Sequence, residues 1–155
     1  HHFMALAADE MARAARYGRP ITVGIADLDH FKQVNDTLGH AAGDHVLKTF
    51  AALLGDTLRQ TDRVCRYGGE EFAFVFPETT PEEAQLLGER LRTRLLESPP
   101  VLPDGRHLAV TFSLGLADAS GCGLEESLAR ADLGLYEAKR AGRNRTVVTR
   151  RPDGL

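Results

Sequence analysis

The chain has 155 residues, 43% hydrophobic and 26% charged, which is the composition of an ordinary globular domain with a buried core. The net charge of -3 argues against a protein that coats a nucleic acid polymer, because such domains are usually strongly basic. Two cysteines are too few for a disulfide framework, and no apolar run approaches the ~20 residues that span a bilayer. We therefore expect a cytoplasmic domain, although a longer protein that contains it can be anchored in a membrane through other segments.

Hydrophobic periodicity and turn residues divide the chain into ten predicted elements. One helix start is marked by Thr80-Pro81-Glu82-Glu83, which supplies a cap residue, an early proline and first-turn acids. The predicted helices span residues 4–17, 31–38, 44–59, 81–96 and 124–140. The predicted strands span residues 21–26, 63–67, 71–76, 108–117 and 146–149.

The order of these elements, α-β-α-α-β-β-α-β-α-β, mixes a hairpin with crossover helices. It predicts an α+β fold in which helices flank a central, mainly antiparallel sheet. We assign residues 1–155 to a single domain with a core from about residue 20 to residue 149. Because the chain begins almost directly in a helix, we expect it to be a fragment of a longer multidomain protein.

Two carboxylates stand at the end of the first predicted strand, in Asp27-Leu28-Asp29. Burying carboxylates at a strand end is costly unless a positive group neutralises them. Mg²⁺ is a suitable partner, because it prefers hard oxygen ligands and substrate phosphates. The alternative is that these acids cap the helix that follows at Phe31, which is a common role for aspartate.

A second group of acids follows Gly68-Gly69, a dipeptide favoured in two-residue hairpin turns. Glycines let the backbone approach a ligand closely, and a hairpin tip presents Glu70 outward from a rigid element. A solvated turn with acids for solubility is the alternative. Carboxylates on neighbouring strands, here Asp27 and Glu70, can also share a metal ion, as they do in palm-type polymerases.

Basic residues are concentrated where the last helix ends, in Ala138-Lys139-Arg140-Ala141-Gly142-Arg143-Asn144-Arg145. Cations at a helix C-terminus followed by glycine are expected for dipole and capping reasons alone. Lys139 and Arg143 would also suit the binding of a triphosphate.

Taken together, these motifs resemble the GGDEF family in both order and spacing. The similarity runs from Ile21 to Val148, and the matching segments are 27–32, 35–40, 43–44, 66–72 and 138–145. Members of this family are bacterial diguanylate cyclases, which condense two GTP into cyclic di-GMP and release two pyrophosphates. The resemblance implies a palm or nucleotidyl-cyclase-like fold, a Mg²⁺ (or Mn²⁺) cofactor and catalysis by a homodimer.

The resemblance also implies roles for the acidic residues. Asp27, Glu70 and the backbone carbonyl of Leu28 would hold the metal. Glu71 would be a further metal ligand or the base for the attacking 3'-hydroxyl. These residues, Asp27, Glu70 and Glu71, are our catalytic candidates.

Substrate recognition is implied for a second set of residues. Asn35 and Asp44 match the positions that read guanine, whose N1–H and 2-amino groups suit a carboxylate acceptor whereas adenine does not. On residue type alone, Asn35 can equally be a helix-surface residue and Asp44 an N-cap. Phosphate contacts are implied for Lys139, Arg143 and the segment that contains Phe31 and Lys32, whose amides open a helix. Arg66 would lie beside the carboxylates and orient one of them.

A regulatory match is Arg59-Gln60-Thr61-Asp62, which is followed by five residues before Gly68. The family has an Arg-x-x-Asp inhibitory site for its product here, and Arg59 and Asp62 would bind cyclic di-GMP through its phosphates and guanine edges. Arg90 or Arg92 would supply a second arginine. The alternative is an ordinary charged helix end.

The family's usual Asp-x-Leu-Thr-Gly-Leu-x-Asn-Arg stretch is not found before the first helix. We therefore expect an N-terminal sensor or regulatory domain in the full-length protein, whose coupling depends on segments outside this chain. Two other functions stay open from the sequence. One is a catalytically silent module that binds GTP or cyclic di-GMP, and the other is a palm-type nucleotidyl transferase or cyclase that uses another nucleotide.

Overall fold

The computed structural model describes residues 2–150 and contains all ten predicted elements in the predicted order. The helices are α1 (His2–Tyr17), α2 (Phe31–Leu38), α3 (His40–Thr57), α4 (Pro81–Glu97) and α5 (Leu124–Arg140). The strands are β1 (Ile21–Leu28), β2 (Arg63–Arg66), β3 (Glu71–Pro77), β4 (Phe112–Asp118) and β5 (Thr146–Thr149). The predicted domain bounds of 1–155 also include residue 1 and residues 151–155, which lie outside the described residues.

The five strands form one sheet in the order β2-β3-β1-β4-β5. β1 pairs antiparallel with β3 and β4, β2 pairs antiparallel with β3, and β5 alone is parallel to its neighbour. Every residue of β1 is buried, as its apolar and β-branched sequence predicts for a central strand. The predicted α+β fold with a mainly antiparallel sheet is confirmed.

Helices cover both faces of the sheet. One face packs against α2, α3 and α4, and its core is aromatic: the Phe50 ring lies 5.0 Å from that of Phe72 and 5.2 Å from that of Phe112. The other face packs against α1 and α5 through smaller aliphatic side chains. Within residues 2–150, no helix is both long and apolar enough to span a membrane.

Close packing fixes where α5 lies on the sheet. A Cβ added at Gly115 of β4 would lie 2.0 Å from the carbonyl oxygen of Ala131 and 2.3 Å from the amide nitrogen of Leu135. Only glycine lets the helix backbone approach the strand this closely. The end of α5, which has Lys139, is thereby held against the end of β1.

Three boundaries differ from the prediction in ways that affect the site. β1 continues through Leu28, so that Asp27 belongs to the strand. α3 begins at His40 and Gly39 precedes it with φ 91°, which places Asp44 in the second turn; the interpretation of Asp44 as an N-cap is wrong. β4 begins at Phe112 because the chain before it pairs with its own loop, where the Leu108 amide donates to the Pro100 carbonyl at 2.9 Å.

The connection between β2 and β3 is also longer than predicted. It contains four residues, Tyr67–Glu70, and neither Gly68 nor Gly69 has the positive φ that a two-residue hairpin turn requires. The amides of Tyr67 and Gly68 both donate to the carbonyl of Glu71, at 2.7 and 3.3 Å. Arg66 Nε donates to the Gly69 carbonyl at 2.9 Å, so a side chain closes the wider turn.

Candidate active site

The candidate site is built where the central strand β1 ends. Asp27 lies directly opposite Glu71 of β3 on one side and Ser113 of β4 on the other. Side chains directly opposite each other in an antiparallel pair project from the same face of the sheet. Asp27 and Glu71 therefore lie together on the face that α5 covers.

Glu70 and Glu71 line different cavities, although they are adjacent in sequence. The Leu28 amide donates to the Glu70 carbonyl at 3.2 Å, which holds the hairpin tip beside the end of β1. Glu70 lines a cavity against α2 and α3, whereas Glu71 lines one of about 500 Å³ against α5. This divergence follows from the alternation of side chains along an extended chain.

Asp27 is neutralised by a lysine in this structure. Lys139 Nζ donates to Asp27 Oδ2 at 2.6 Å, and only 7% of Asp27 is exposed. A buried carboxylate is stable only with such a partner. The end of α5 thus reaches the end of β1, across 112 residues of sequence.

Glu71 lies near other acids at this strand end. Partial burial, followed by the negative charge of Asp27 and then of Asp132, raises the pKa of the Glu71 carboxyl above its ordinary value, against an opposing effect of Lys139. Asp132 was not singled out from the sequence. It precedes Lys139 by seven residues, about two helical turns, and that spacing would have placed it on the same side of α5.

These acids fit a hard divalent cation. Groups of three or more His, Cys, Asp or Glu side chains arranged for a metal do not occur within residues 2–150. Mg²⁺, however, is usually bound by one or two carboxylates, with water and substrate phosphates completing its shell. Asp27 and Glu71 offer oxygen donors of the right type. Partial burial and, after it, the charges of Asp27 and Asp132 raise the pKa of Glu71, and a cation would offset the part that comes from these charges.

Asp29 has a different role from Asp27. The N-cap position of α2 is occupied by His30, with φ 58° and no side-chain cap, so the interpretation of these aspartates as helix caps is wrong. Asp29 is buried and accepts hydrogen bonds from Thr111 Oγ1 (2.6 Å), Ser113 Oγ (2.7 Å) and the Asn144 amide (3.0 Å). It therefore ties the start of α2 to β4 and to the loop after α5.

A cavity of about 410 Å³ lies between the hairpin tip and the α2–α3 pair. It brings together most of the residues for which guanine or phosphate contacts were predicted. Its lining consists of Phe31, Lys32, Asn35, His40, Asp44, Leu47, Arg66, Gly69 and Glu70. His40 and Leu47 were not predicted, although His40 precedes Asp44 by one helical turn and so lies on the same side of α3.

The loop after α5 carries the second predicted phosphate ligand. Arg143 and Asn144 have left-handed backbones, with φ of 64° and 49°, so the helix does not continue beyond Gly142. The Arg143 amide donates to the Ala138 carbonyl at 2.9 Å and closes the helix end. The Arg143 side chain is exposed at this turn, whereas Lys139 is the residue that contacts Asp27.

Arg59 and Asp62 form a closed turn after α3. Only 1% of the Asp62 side chain is exposed, and it accepts from the Arg59 amide at 2.9 Å and from Arg59 Nη2 at 3.3 Å. Arg59 Nη2 also donates to the carbonyl of Pro77 at 3.0 Å and to Thr79 Oγ1. The pair thus links the end of α3 to the connection between β3 and α4.

The two arginines considered as partners for this pair differ in their surroundings. Arg92 lies over the Phe112 ring, 4.8 Å from its centroid, and donates to Thr146 Oγ1 at 3.0 Å. These contacts hold its guanidinium against β4 and β5. Arg90 is exposed on α4, seven residues after Glu83. Hydrogen bonds with Thr80, together with the charge of Arg59, lower the pKa of Glu83, so Arg59 acts on this part of α4. Because its guanidinium is not held against the sheet, Arg90 is the better candidate for a second arginine beside Arg59.

Comparison with known proteins shows consistent similarity. The family model described as diguanylate cyclase, GGDEF domain, matches residues 1–145. The response regulator PleD of Caulobacter vibrioides is 44% identical over 138 residues, which are 87% of this chain and 30% of PleD. The chain thus spans less than a third of the length of this curated relative.

Solved structures give the same result. The GGDEF domain of DgcB from Caulobacter crescentus, in complex with c-di-GMP, superposes with a TM-score of 0.89 at 33% identity, covering 95% of this chain and 88% of that one. The active GGEEF domain of a diguanylate cyclase from Vibrio cholerae has a TM-score of 0.86 at 33% identity, covering 96% and 94%. The chain therefore belongs to the GGDEF family of diguanylate cyclase domains.

Proposed function

We propose that this domain condenses two molecules of GTP into cyclic di-GMP and releases two pyrophosphates. The observation that carries the proposal is the convergence of Asp27, Glu71 and Lys139 at the end of β1. Glu70 adjoins this point and faces the cavity against α2 and α3. Family membership supports the same reaction.

A divalent metal, Mg²⁺ or Mn²⁺, would be held by Asp27, Glu70 and the backbone carbonyl of Leu28, and the Glu70 side chain would turn from the cavity against α2 and α3 toward the end of β1 to join it. When bound, it supplies polarisation of the α-phosphate and neutralises charge on the leaving pyrophosphate. Glu71 lies opposite Asp27 and is available as a further ligand. Its raised pKa also makes it a better proton acceptor than an ordinary carboxylate, which suits a base for the 3'-hydroxyl.

Guanine would bind in the 410 Å³ cavity, against Asn35 and Asp44. The Asp44 carboxylate accepts from both the N1–H and the 2-amino group of guanine. Adenine has an acceptor at N1 and no 2-amino group, so it would leave the carboxylate desolvated without donors. GTP should therefore be preferred over ATP.

The triphosphate would extend toward the end of α5. Lys139 can exchange its contact with Asp27 for a phosphate oxygen, and Arg143 is exposed on the adjoining loop. The backbone amides around Phe31 and Lys32 open α2, whose dipole favours an anion at that end. Binding of substrate would thereby free Asp27 for the metal.

Two domains are needed for the reaction, because one site holds one GTP and each 3'-hydroxyl must attack the other molecule. The proposal therefore includes a homodimer with the two sites facing each other. We further propose that the product inhibits the enzyme at Arg59 and Asp62, with Arg90 as the second arginine. For this, the Arg59 guanidinium must leave Pro77 and Thr79 and turn outward.

The test is turnover of GTP with Mg²⁺ at high protein concentration. The wild type should form cyclic di-GMP, and Glu70→Ala and Asp27→Asn should each lower the rate by about 100-fold or more. Glu126→Gln, which alters an exposed acid at the start of α5, should leave the rate unchanged.

Thermal unfolding of each variant establishes that the fold is intact. A folded wild-type dimer that binds cyclic di-GMP but makes none would instead identify a silent binding module. Faster consumption of ATP than of GTP would identify a cyclase for another nucleotide.

A further inference from the structure

We infer that Gly43 is a positioning residue, which sets the place of the Asn35 amide and thereby the preference of the cavity for guanine. Gly43 is buried in α3 and faces α2. A Cβ at this position would lie 1.9 Å from Asn35 Oδ1 and 3.2 Å from Phe31 Cζ. Ordinary contacts between carbon atoms are about 3.5–4.0 Å, so the Asn35 amide occupies the space that any side chain at position 43 would need.

The glycine is not required by its own backbone. Gly43 lies within a helix and has no positive φ, and alanine is a better helix former than glycine. Helix propensity alone would therefore favour alanine at this position. The requirement for glycine comes from the neighbouring helix.

The same helix contains a natural comparison. Gly55 also belongs to α3, but a Cβ added there would meet no atom within 4 Å other than those of its chain neighbours and the local helix backbone. Gly43 and Gly55 are thus both helical residues of α3, but only Gly43 has a neighbouring side chain close to the position of its missing Cβ. Alanine should be tolerated at Gly55 and should conflict with Asn35 at Gly43.

The conflict at Gly43 would be relieved mainly by the Asn35 side chain. The Asn35 carbonyl accepts the Gly39 amide at 3.0 Å, which anchors its backbone at the turn between α2 and α3. Its amide lines the cavity, where open space lets it rotate. A side chain at position 43 would consequently displace a predicted guanine contact and leave the acids and Lys139 in place.

This inference rests on the proposed guanine site, and its test separates the two. Binding of GDP and of ADP to the full chain is measured by calorimetry with Mg²⁺, because neither nucleotide can be condensed. The wild type should prefer GDP. Gly43→Ala should weaken GDP binding by about tenfold and ADP binding by much less. Gly55→Ala should leave the affinity for both nucleotides unchanged.

A double-mutant cycle identifies the route of the effect. In an Asn35→Ala background the conflict is absent, so adding Gly43→Ala should change GDP binding less than about twofold. An equal loss in both backgrounds, or unchanged GDP binding by Gly43→Ala, overturns the role of Gly43. If Gly43→Ala alone does not fold, the variant that combines Asn35→Ala with Gly43→Ala should still fold. If this double variant also fails to fold, the conflict does not involve Asn35 and the inference is wrong.

Failure of the proposed guanine site has a separate signature. Equal binding of GDP and ADP by the wild type overturns that site, whichever result Gly43→Ala gives. A wild type that prefers GDP, together with an unaffected Gly43→Ala variant, overturns only the role of Gly43.

Discussion

The ion pair between Lys139 and Asp27 occupies a carboxylate that is proposed to bind a metal ion. Lys139 Nζ lies 2.6 Å from Oδ2 of Asp27, a residue proposed to hold the divalent cation. Both cations are attracted by the same acids, Glu71 and Asp132 among them. A divalent cation held by Asp27 would therefore compete with Lys139 for its carboxylate, and a phosphate that binds Lys139 would weaken that competition.

Replacing this lysine should separate metal binding from nucleotide binding. Lys139→Met should raise the affinity for Mn²⁺ without nucleotide by roughly tenfold, because it removes a positive charge next to Asp27. The same change should weaken GTP binding, since a phosphate partner is lost. Calorimetric titration with Mn²⁺ and with GTP measures both effects.

Arg140→Met is the matched control for this experiment. It removes one positive charge from the adjacent residue of α5, whose guanidinium is exposed over the Tyr136 ring. Its effect on Mn²⁺ affinity should be small. Equal effects of the two substitutions would mean that the general charge of the helix end, and not the contact with Asp27, controls metal binding.

The turn between α3 and β2 shows how elements are joined. Asp62 is buried and accepts from the Arg59 amide, while Arg59 reaches the connection between β3 and α4. The same two residues are the proposed product site. If the product binds there, a substitution of Asp62 would change both stability and inhibition, whereas a substitution of Arg59 would mainly change inhibition.

Substitutions of Asp62 and of Arg59 should therefore have different effects on stability and on product inhibition. Asp62→Ala should lower the free energy of unfolding by about 1–3 kcal/mol, because it leaves the Arg59 backbone amide without its acceptor and removes one of several acceptors of the Arg59 guanidinium. Arg59→Ala should cost less stability and should abolish inhibition by cyclic di-GMP. Urea unfolding measures the change in stability, and a product-inhibition assay measures the change in inhibition. Asp56, an exposed acid of α3, provides the control. If Asp62→Ala is as stable as Asp56→Ala, the structural role of Asp62 is wrong.

In the part of the chain that the structure describes, the cavity proposed for guanine lies beside the acids at the end of β1, so a single copy would supply half of the proposed reaction. If the two sites meet in a homodimer, specific activity should rise with protein concentration and level off once dimers predominate. Initial rates over a hundredfold range of concentration, with sedimentation to follow the dimer, test this. Constant specific activity in a monomeric protein would contradict the facing-dimer arrangement.

Much of the fold could be predicted because its signals are local. Thr80 caps α4, with the Glu83 amide donating to its hydroxyl at 3.2 Å, as the Thr-Pro-Glu-Glu pattern indicates. The two boundary errors nearest the site have local causes that the pattern could not show. Gly39 permits α3 to start a turn early, and Arg66 stabilises a four-residue hairpin connection.

The sequence by itself determined the elements, the strand end at Asp27, the hairpin with its two acids and the basic end of α5, because capping, periodicity and turn chemistry act over a few residues. Only the tertiary structure decided which of these groups meet. It placed Glu71 opposite Asp27 and Glu70 against the other cavity, paired Lys139 with Asp27, and gave Asp29 its partners on β4. The physical reason is that strand register and the close packing of α5 on Gly115 depend on contacts between residues far apart in the chain.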